Sequence, residues 1–502
     1  MIVIVTVLFG MFCAAMEALI TATILPTIIS NLGGMELYPW LINSFLLSFI
    51  VVTPIFGKMS DTYGYKRVYL TAVTIFCLSS MLCGAAQSME QLILFRGLQG
   101  IGTGGLITMS IIFFGEIFPL ERRPRMQAML SSMWAIASLL GPLIGAYLAH
   151  TLSWRWAFYI NVPSAMAIFF LIYCFANGKR SKETTQPLDK IGLGVFIVSC
   201  GGFVYAIMGL SQLKTSIHTL LLLMASLCLG IIFIRHISNI SNPFIPINLF
   251  KRQEVVLSVL LGFFCGFFLF CIANFLPMYV QGVLGMEANY VGRVVTAIAM
   301  GSFTGAIICG LLLNRKGFRT LAVGGAVSIL AGFFSLILMD RQATLWKLSL
   351  SNFFIGLGIS SIANASIIAA QAASPKAMLG RATSLFHFFR SFGGLIGIAT
   401  MGGLQLGIFR RGLQSLIETN HQKYQYLFDF AQHPQQIFDP LRRALWNQEQ
   451  LDVLPGLLGN SIHVVFICCF LAGIVAFYFS LKMPKKKPRD YSIAEDPIPL
   501  EE

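Results

Sequence analysis

The sequence predicts an all-α integral membrane protein that crosses the bilayer about fourteen times. Three observations carry this. The 502 residues are 56% hydrophobic and only 11% charged, where soluble domains carry roughly 25% charged residues. Apolar runs of about 18 to 24 residues recur along almost the whole chain, each long enough to span the hydrocarbon core. The Lys and Arg residues behind the net charge of +14 sit in short loops between those runs, which excludes a nucleic-acid surface as their purpose. In lipid every backbone N–H and C=O must be satisfied internally, so the runs must be helical. The ten-residue alternation of a transmembrane barrel is absent.

Taken in order, helices are expected near 2–24, 40–57, 69–88, 91–114, 127–149 and 157–177, then 191–211 and 217–235. Six more follow near 255–276, 289–313, 320–339, 347–372, 383–407 and 461–482. The first run lacks a basic leader and an A-x-A site, so it reads as a retained span rather than a signal peptide. Only Met1 precedes it, and a short native segment ahead of it is expected to be missing. With the N-terminus inside, 23 of the 35 Lys and Arg fall on the cytoplasmic side. The positive-inside rule then places both termini in the cytoplasm of a plasma (inner) membrane. All eleven cysteines fall in expected helices and read as small apolar residues.

Two charged linkers divide the chain as 6 + 2 + 6. Residues 1–177 are expected to form a six-helix bundle and 178–254 two inserted helices with flanking linkers. Residues 255–483 form a second six-helix bundle that includes an outer loop, 408–460, and 484–502 form a solvated tail. The outer loop is too apolar for disorder and is expected to be a partly helical lid or docking element. A weak repeat links the halves: Gly57-Lys-Met-Ser-Asp61-Thr-Tyr-Gly64-Tyr-Lys66-Arg67 against Gly310-Leu-Leu-Leu-Asn314-Arg315-Lys316-Gly317-Phe-Arg319. Duplicated halves around a midplane cavity are a common transporter plan.

Glu17 is the one acid placed deep in an expected span. A carboxylate there is costly unless paired, hydrated or protonated. It is either a structural group bonded to a neighbouring helix or a reversible proton carrier, and the carrier is the favoured reading. Arg96, in Arg96-Gly-Leu-Gln99-Gly100-Ile-Gly102, either snorkels or faces a crowded protein interior, as the glycines suggest. Asp61 is either a solvated loop charge or part of a packed turn set by Gly57 and Gly64. Gly141-Pro142-Leu-Ile-Gly145 bends or closely packs helix 5. Gln99, Asn274, Asn364, His387 and Arg390 are candidate substrate-cavity residues. The sequence shows no zinc-ligand spacing, P-loop, dinucleotide fingerprint or nucleophile elbow, so no metal, cofactor or enzymatic activity is expected.

Together these motifs resemble the major facilitator superfamily, in its fourteen-helix drug:proton antiporter group of the QacA/EmrB type. The resemblance adds Ala22-Thr23-Ile-Leu25-Pro26-Thr27-Ile28, Ser153-Trp154-Arg155-Trp156-Ala-Phe158-Tyr-Ile-Asn161-Val-Pro163 and Leu276-Pro277-Met-Tyr279-Val-Gln281. It implies two six-helix bundles with two inserted helices, alternating access, and proton-coupled export of lipophilic or cationic drugs and toxic compounds. It also implies proton coupling by Glu17 and Arg96, and a conformational latch of Gly57, Asp61, Gly64 and Arg67. In that latch Asp61 meets a helix N-terminus near Arg381. Gly141, Pro142 and Gly145 match the antiporter motif. In a Gram-negative cell it implies a periplasmic adaptor and outer-membrane channel. The chain departs from the family pattern where Glu17 replaces the usual aspartate, Leu19 a threonine and Ala22 a frequent asparagine. An exporter of one endogenous lipid, siderophore or metabolite would carry the same motifs.

Overall fold

The computed structural model describes residues 2–33, 37–176, 189–211, 217–240, 243, 245–286, 288–339, 344–419 and 448–492. Among them thirteen helices are long and apolar enough to cross a membrane, and a further apolar stretch, Ile191–Ile207, lies within a fourteenth. The first bundle comprises α1 (Ile2–Leu32), α2 (Tyr38–Tyr63), α3 (Tyr65–Ala85), α4 (Met89–Ile117), α5 (Arg123–Thr151) and a crossing in two pieces, α6 (Trp156–Tyr159) and α7 (Asn161–Phe175). The inserted pair is α8 (Lys190–Ser211) and α9 (Ile217–Ser238). The second bundle comprises α10 (Gln253–Met278), α11 (Ala288–Lys316), α12 (Phe318–Ile337), α13 (Leu345–Ala372), α14 (Leu379–Thr419) and α15 (Gln448–Lys482), followed by a short α16 (Pro488–Ser492).

Helices in lipid gain little from burying apolar surface against one another, so close backbone approach holds them together. In the first bundle α4 lies between α2 and α3. A Cβ on Gly102 would stand 2.5 Å from the Phe76 nitrogen of α3, and one on Gly104 2.9 Å from the Phe49 carbonyl oxygen of α2. The second bundle repeats the arrangement, with α13 between α11 and α12: Gly358 packs on the Gly325 backbone and Gly356 on that of Ile298. The repeat extends to the loops. Gly64 (φ 86°) ends α2 and Gly317 (φ 83°) ends α11, in a left-handed conformation that a side chain would strain.

Of the inserted pair, α8 packs on both bundles and α9 packs on α8. Tyr205 of α8 stacks on Trp40 of α2 at 5.1 Å, while Phe196 and Phe203 meet Phe388 and Phe392 of α14 at 5.5 and 5.4 Å. Ser199 donates to the Ser226 carbonyl at 2.9 Å. Ahead of α8, Asp189 accepts from the Gly192 N–H at 2.8 Å and lies 3.0 Å from His236 Nε2 at the end of α9. Desolvation alone would raise the Asp189 pKa, but the Gly192 and His236 contacts outweigh it and hold it below the ordinary value. A depressed folded pKa stabilises above the unfolded value of about 3.9 and loses that contribution as pH falls through the folded one. Asp189→Asn is therefore expected to lower the melting temperature of detergent-solubilised protein at pH 7, with the deficit shrinking on acidification below about pH 4.

The structure corrects two expectations. The helix expected to end near 407 continues to Thr419, and the last crossing starts at Gln448 rather than near 461. Phe409, Leu413 and Ile417 lie four residues apart and are buried with Leu454 and Leu458; this stripe carries the helix past Arg410 and Arg411, beyond the end expected near 407. At 41 residues α14 is about 60 Å long, roughly twice the hydrocarbon thickness. The rest of the expected lid or docking loop, 420–447, lies outside the described residues, as does most of the 177–190 linker. The second correction concerns the tail, which docks as far as Ser492. The Phe318 N–H donates to the Lys486 carbonyl at 3.2 Å and the Tyr491 hydroxyl to Glu254 Oε1 at 3.0 Å.

Candidate functional site

Glu17 sits in the middle of α1 and its side chain is fully buried. Arg96 Nη1 of α4 lies 2.6 Å from Glu17 Oε1, an ion pair between side chains 2% and 0% exposed. The other carboxylate oxygen accepts from Asn161 Nδ2, at the start of α7, and Thr21 Oγ1 donates to Oε1 at 3.4 Å. Arg96 also donates to Gln99 Oε1 at 2.7 Å, Gln99 Nε2 donates to Ser80 Oγ at 2.9 Å, and the guanidinium stands 4.1 Å over the Phe45 ring. Five helices of the first bundle thus contribute to one buried polar cluster. Arg96 Nε and Asn161 Oδ1 have no protein partner, so the cluster keeps unused hydrogen-bonding capacity.

Gly141 and Gly145 hold α5 against the same part of α1. A Cβ on Gly141 would stand 3.3 Å from Leu19 Cβ, and one on Gly145 2.7 Å from Ile20 Cγ1. The side chain of Pro142 lies outside the described residues.

Asp61 ends α2 and reaches the first turn of α14, whose N–H groups have no helical partner. It accepts from the Gly380 N–H at 2.8 Å, the Arg381 N–H at 3.0 Å and Arg381 Nε at 3.0 Å. Charge-assisted hydrogen bonds are worth about 1.5–3 kcal/mol each, and the helix dipole adds to them. One turn back, Gly57 allows the close approach, since a Cβ there would stand 2.7 Å from the Gly380 carbonyl oxygen and 2.5 Å from Ser384 Cβ. The second half of the repeat makes the reciprocal contact. Asn314 donates to the Glu121 carbonyl at 2.7 Å, just before α5, and Gly310 packs against Pro124 and Ala128. Ser131 donates to Asn364 Oδ1 at 3.4 Å, also between bundles. These described inter-bundle hydrogen bonds gather at the end of the molecule that carries the basic loops.

Arg67 is exposed and stands apart from the Asp61 contacts. Gln99 belongs to the Glu17 cluster, where it is fully buried. Asn274 is exposed and donates to the Phe270 carbonyl of its own helix. His387 and Arg390 lie one turn apart on α14, both partly exposed. Sequence reasoning missed Asn161, Thr21 and Ser80 as functional neighbours of Glu17. The available signal was Asn161, an amide opening an apolar span.

The Major Facilitator Superfamily profile matches residues 7–398. The chain belongs to this superfamily. The multidrug transporter protein MdtP of Bacillus subtilis is 30% identical over 517 residues, covering 96% of this chain and 94% of its own length. Multidrug resistance protein 3 of the same organism is 30% identical over 498 residues, covering 97% and 95%. The proton:xylose symporter XylE superposes with a TM-score of 0.61 at 13% identity, covering 98% of each chain, a likeness of fold alone. This superfamily member is therefore a multi-pass membrane transporter, not an enzyme.

Proposed function

We propose that this transporter exports lipophilic drugs and toxic compounds across the plasma membrane in exchange for protons. Glu17 is the proton-carrying group and Arg96 its partner. The observation that carries the reading is the fully buried Glu17–Arg96 pair, the one ion pair described at mid-span in the first bundle. A proton added to Glu17 cancels its side of the pair, which removes a reason for α1 and α4 to hold that arrangement. The pair must open to receive it, because Glu17 is sealed in the conformation described. The multidrug names of the relatives support the substrate class.

With the basic loops and both termini cytoplasmic, the Asp61 and Asn314 contacts close the cytoplasmic end, and Gly57, Asp61 and Gly64 act as the latch of that closure. Release of a proton inward is coupled to binding of substrate, which is then carried out. One charge crossing 100 mV supplies about 2.3 kcal/mol, roughly a fiftyfold gradient of a neutral compound. The test is expression in a pump-deficient host scored against a panel of dyes and antibiotics. Dye efflux that a protonophore abolishes is the expected result, and efflux unaffected by it contradicts the proposal.

A further inference from the structure

The described charges within the core of the membrane do not balance. Glu17 is matched by Arg96 and, nearer the basic end, Asp61 by Arg381. Arg390 is different: among the described residues its guanidinium makes no ion pair or hydrogen bond. It lies about 17 Å along α14 from the basic end, where the backbone of α14 is pressed onto Gly266 of α10. An arginine cannot shed its proton to become neutral in a protein, so at this depth it calls for a counter-charge. One turn earlier His387 has a buried Nε2 with no partner. Both side chains remain partly open. Phe386 lies edge-on to His387 at 5.4 Å but is itself buried against Gly262 of α10, whereas the partly exposed Phe270 of α10 covers Gly394, one turn beyond Arg390.

We propose that Arg390, assisted by His387, binds the anionic group of an amphiphilic substrate while the Phe270 ring takes its apolar part. This rests on the export reading above and narrows its substrate class to organic anions bearing a carboxylate, sulfonate or phosphate. A planar guanidinium matches such groups through paired N–H donors. A lipophilic cation, by contrast, finds no unmatched carboxylate among the described residues at mid-span. Export of a monoanion against one proton moves two charges in the same electrical sense, so an inside-negative potential accelerates it.

The experiment uses purified full-length protein and two probes that share a skeleton. These are 8-anilinonaphthalene-1-sulfonate and its uncharged parent, N-phenyl-1-naphthylamine, with binding read by fluorescence. Arg390→Gln is expected to weaken sulfonate binding by about tenfold or more and to leave the neutral probe within about twofold; Arg390→Lys restores part of the loss. Equal effects on both probes, or none on either, overturn the proposal. So does wild-type protein that binds ethidium and does not bind the sulfonate. Competition by phosphatidylglycerol separates a lipid headgroup from a soluble anion as the occupant, and displacement of the sulfonate by either supports an anion site. Binding is read at equilibrium, so a charge-selective site in a protein that fails to move the dye in proteoliposomes contradicts the export reading alone. Protonophore-sensitive efflux of other compounds without sulfonate binding contradicts this inference alone.

Discussion

Arg96→Gln is expected to destabilise the protein by about 3–5 kcal/mol, the usual cost of stranding one partner of a buried ion pair. The cost is high here because the Glu17 carboxylate is fully covered and Arg96 lies 2.6 Å from it. Asn161 and Thr21 would remain to donate to it, but neither carries a charge. Adding Glu17→Gln removes the stranded charge, so the double variant Glu17→Gln/Arg96→Gln should recover much of the lost stability, with a coupling energy of about 0.5–3 kcal/mol. Thermal melting of the four proteins in detergent measures this cycle. Additive losses would mean that the two side chains do not interact as the geometry requires. Recovery of stability should bring no recovery of efflux, since the double variant has no group at position 17 to carry a proton.

Gly57→Val is expected to reduce efflux about 5- to 150-fold, the population shift that corresponds to an overpacking cost of about 1–3 kcal/mol. The first atom of the new side chain already falls 2.7 Å from the Gly380 carbonyl oxygen and 2.5 Å from Ser384 Cβ. These atoms belong to a different bundle, so strain at this point is relieved by separating α2 from α14. That separation also breaks the three hydrogen bonds Asp61 accepts from Gly380 and Arg381. The variant should therefore fold but populate conformations open at the basic end, seen as longer spin-label distances between the basic ends of α2 and α14. Unchanged distances together with normal efflux would show that this contact does not govern the transport cycle.

The fold was legible because lipid imposes one simple requirement on the backbone, and the apolar runs announce where it applies. The 6 + 2 + 6 arrangement and the Gly64 and Gly317 turns follow from local sequence. What escaped the sequence depends on partners far along the chain. Glu17 is visible as a lone acid, yet Asn161 meets it from 144 residues away and nothing local marks that pairing. Gln99 looks like a cavity residue by position, but it is buried and bonded to Arg96 of its own helix and to Ser80 of α3. The extension of α14 was hidden by Arg410 and Arg411, which interrupt hydropathy without interrupting the buried stripe through Phe409, Leu413 and Ile417. The docked tail follows from tertiary contacts of Lys486 and Tyr491 that its charged composition does not suggest.

The account depends most on Glu17 exchanging a proton when substrate binds. Purified protein in weakly buffered detergent solution with a pH indicator tests this directly, by adding a transported compound and recording proton release. Wild-type protein should release protons on addition, and Glu17→Gln should still bind the compound while releasing none. Equal release from the two proteins would contradict the assignment and leave the buried pair a structural feature of the first bundle.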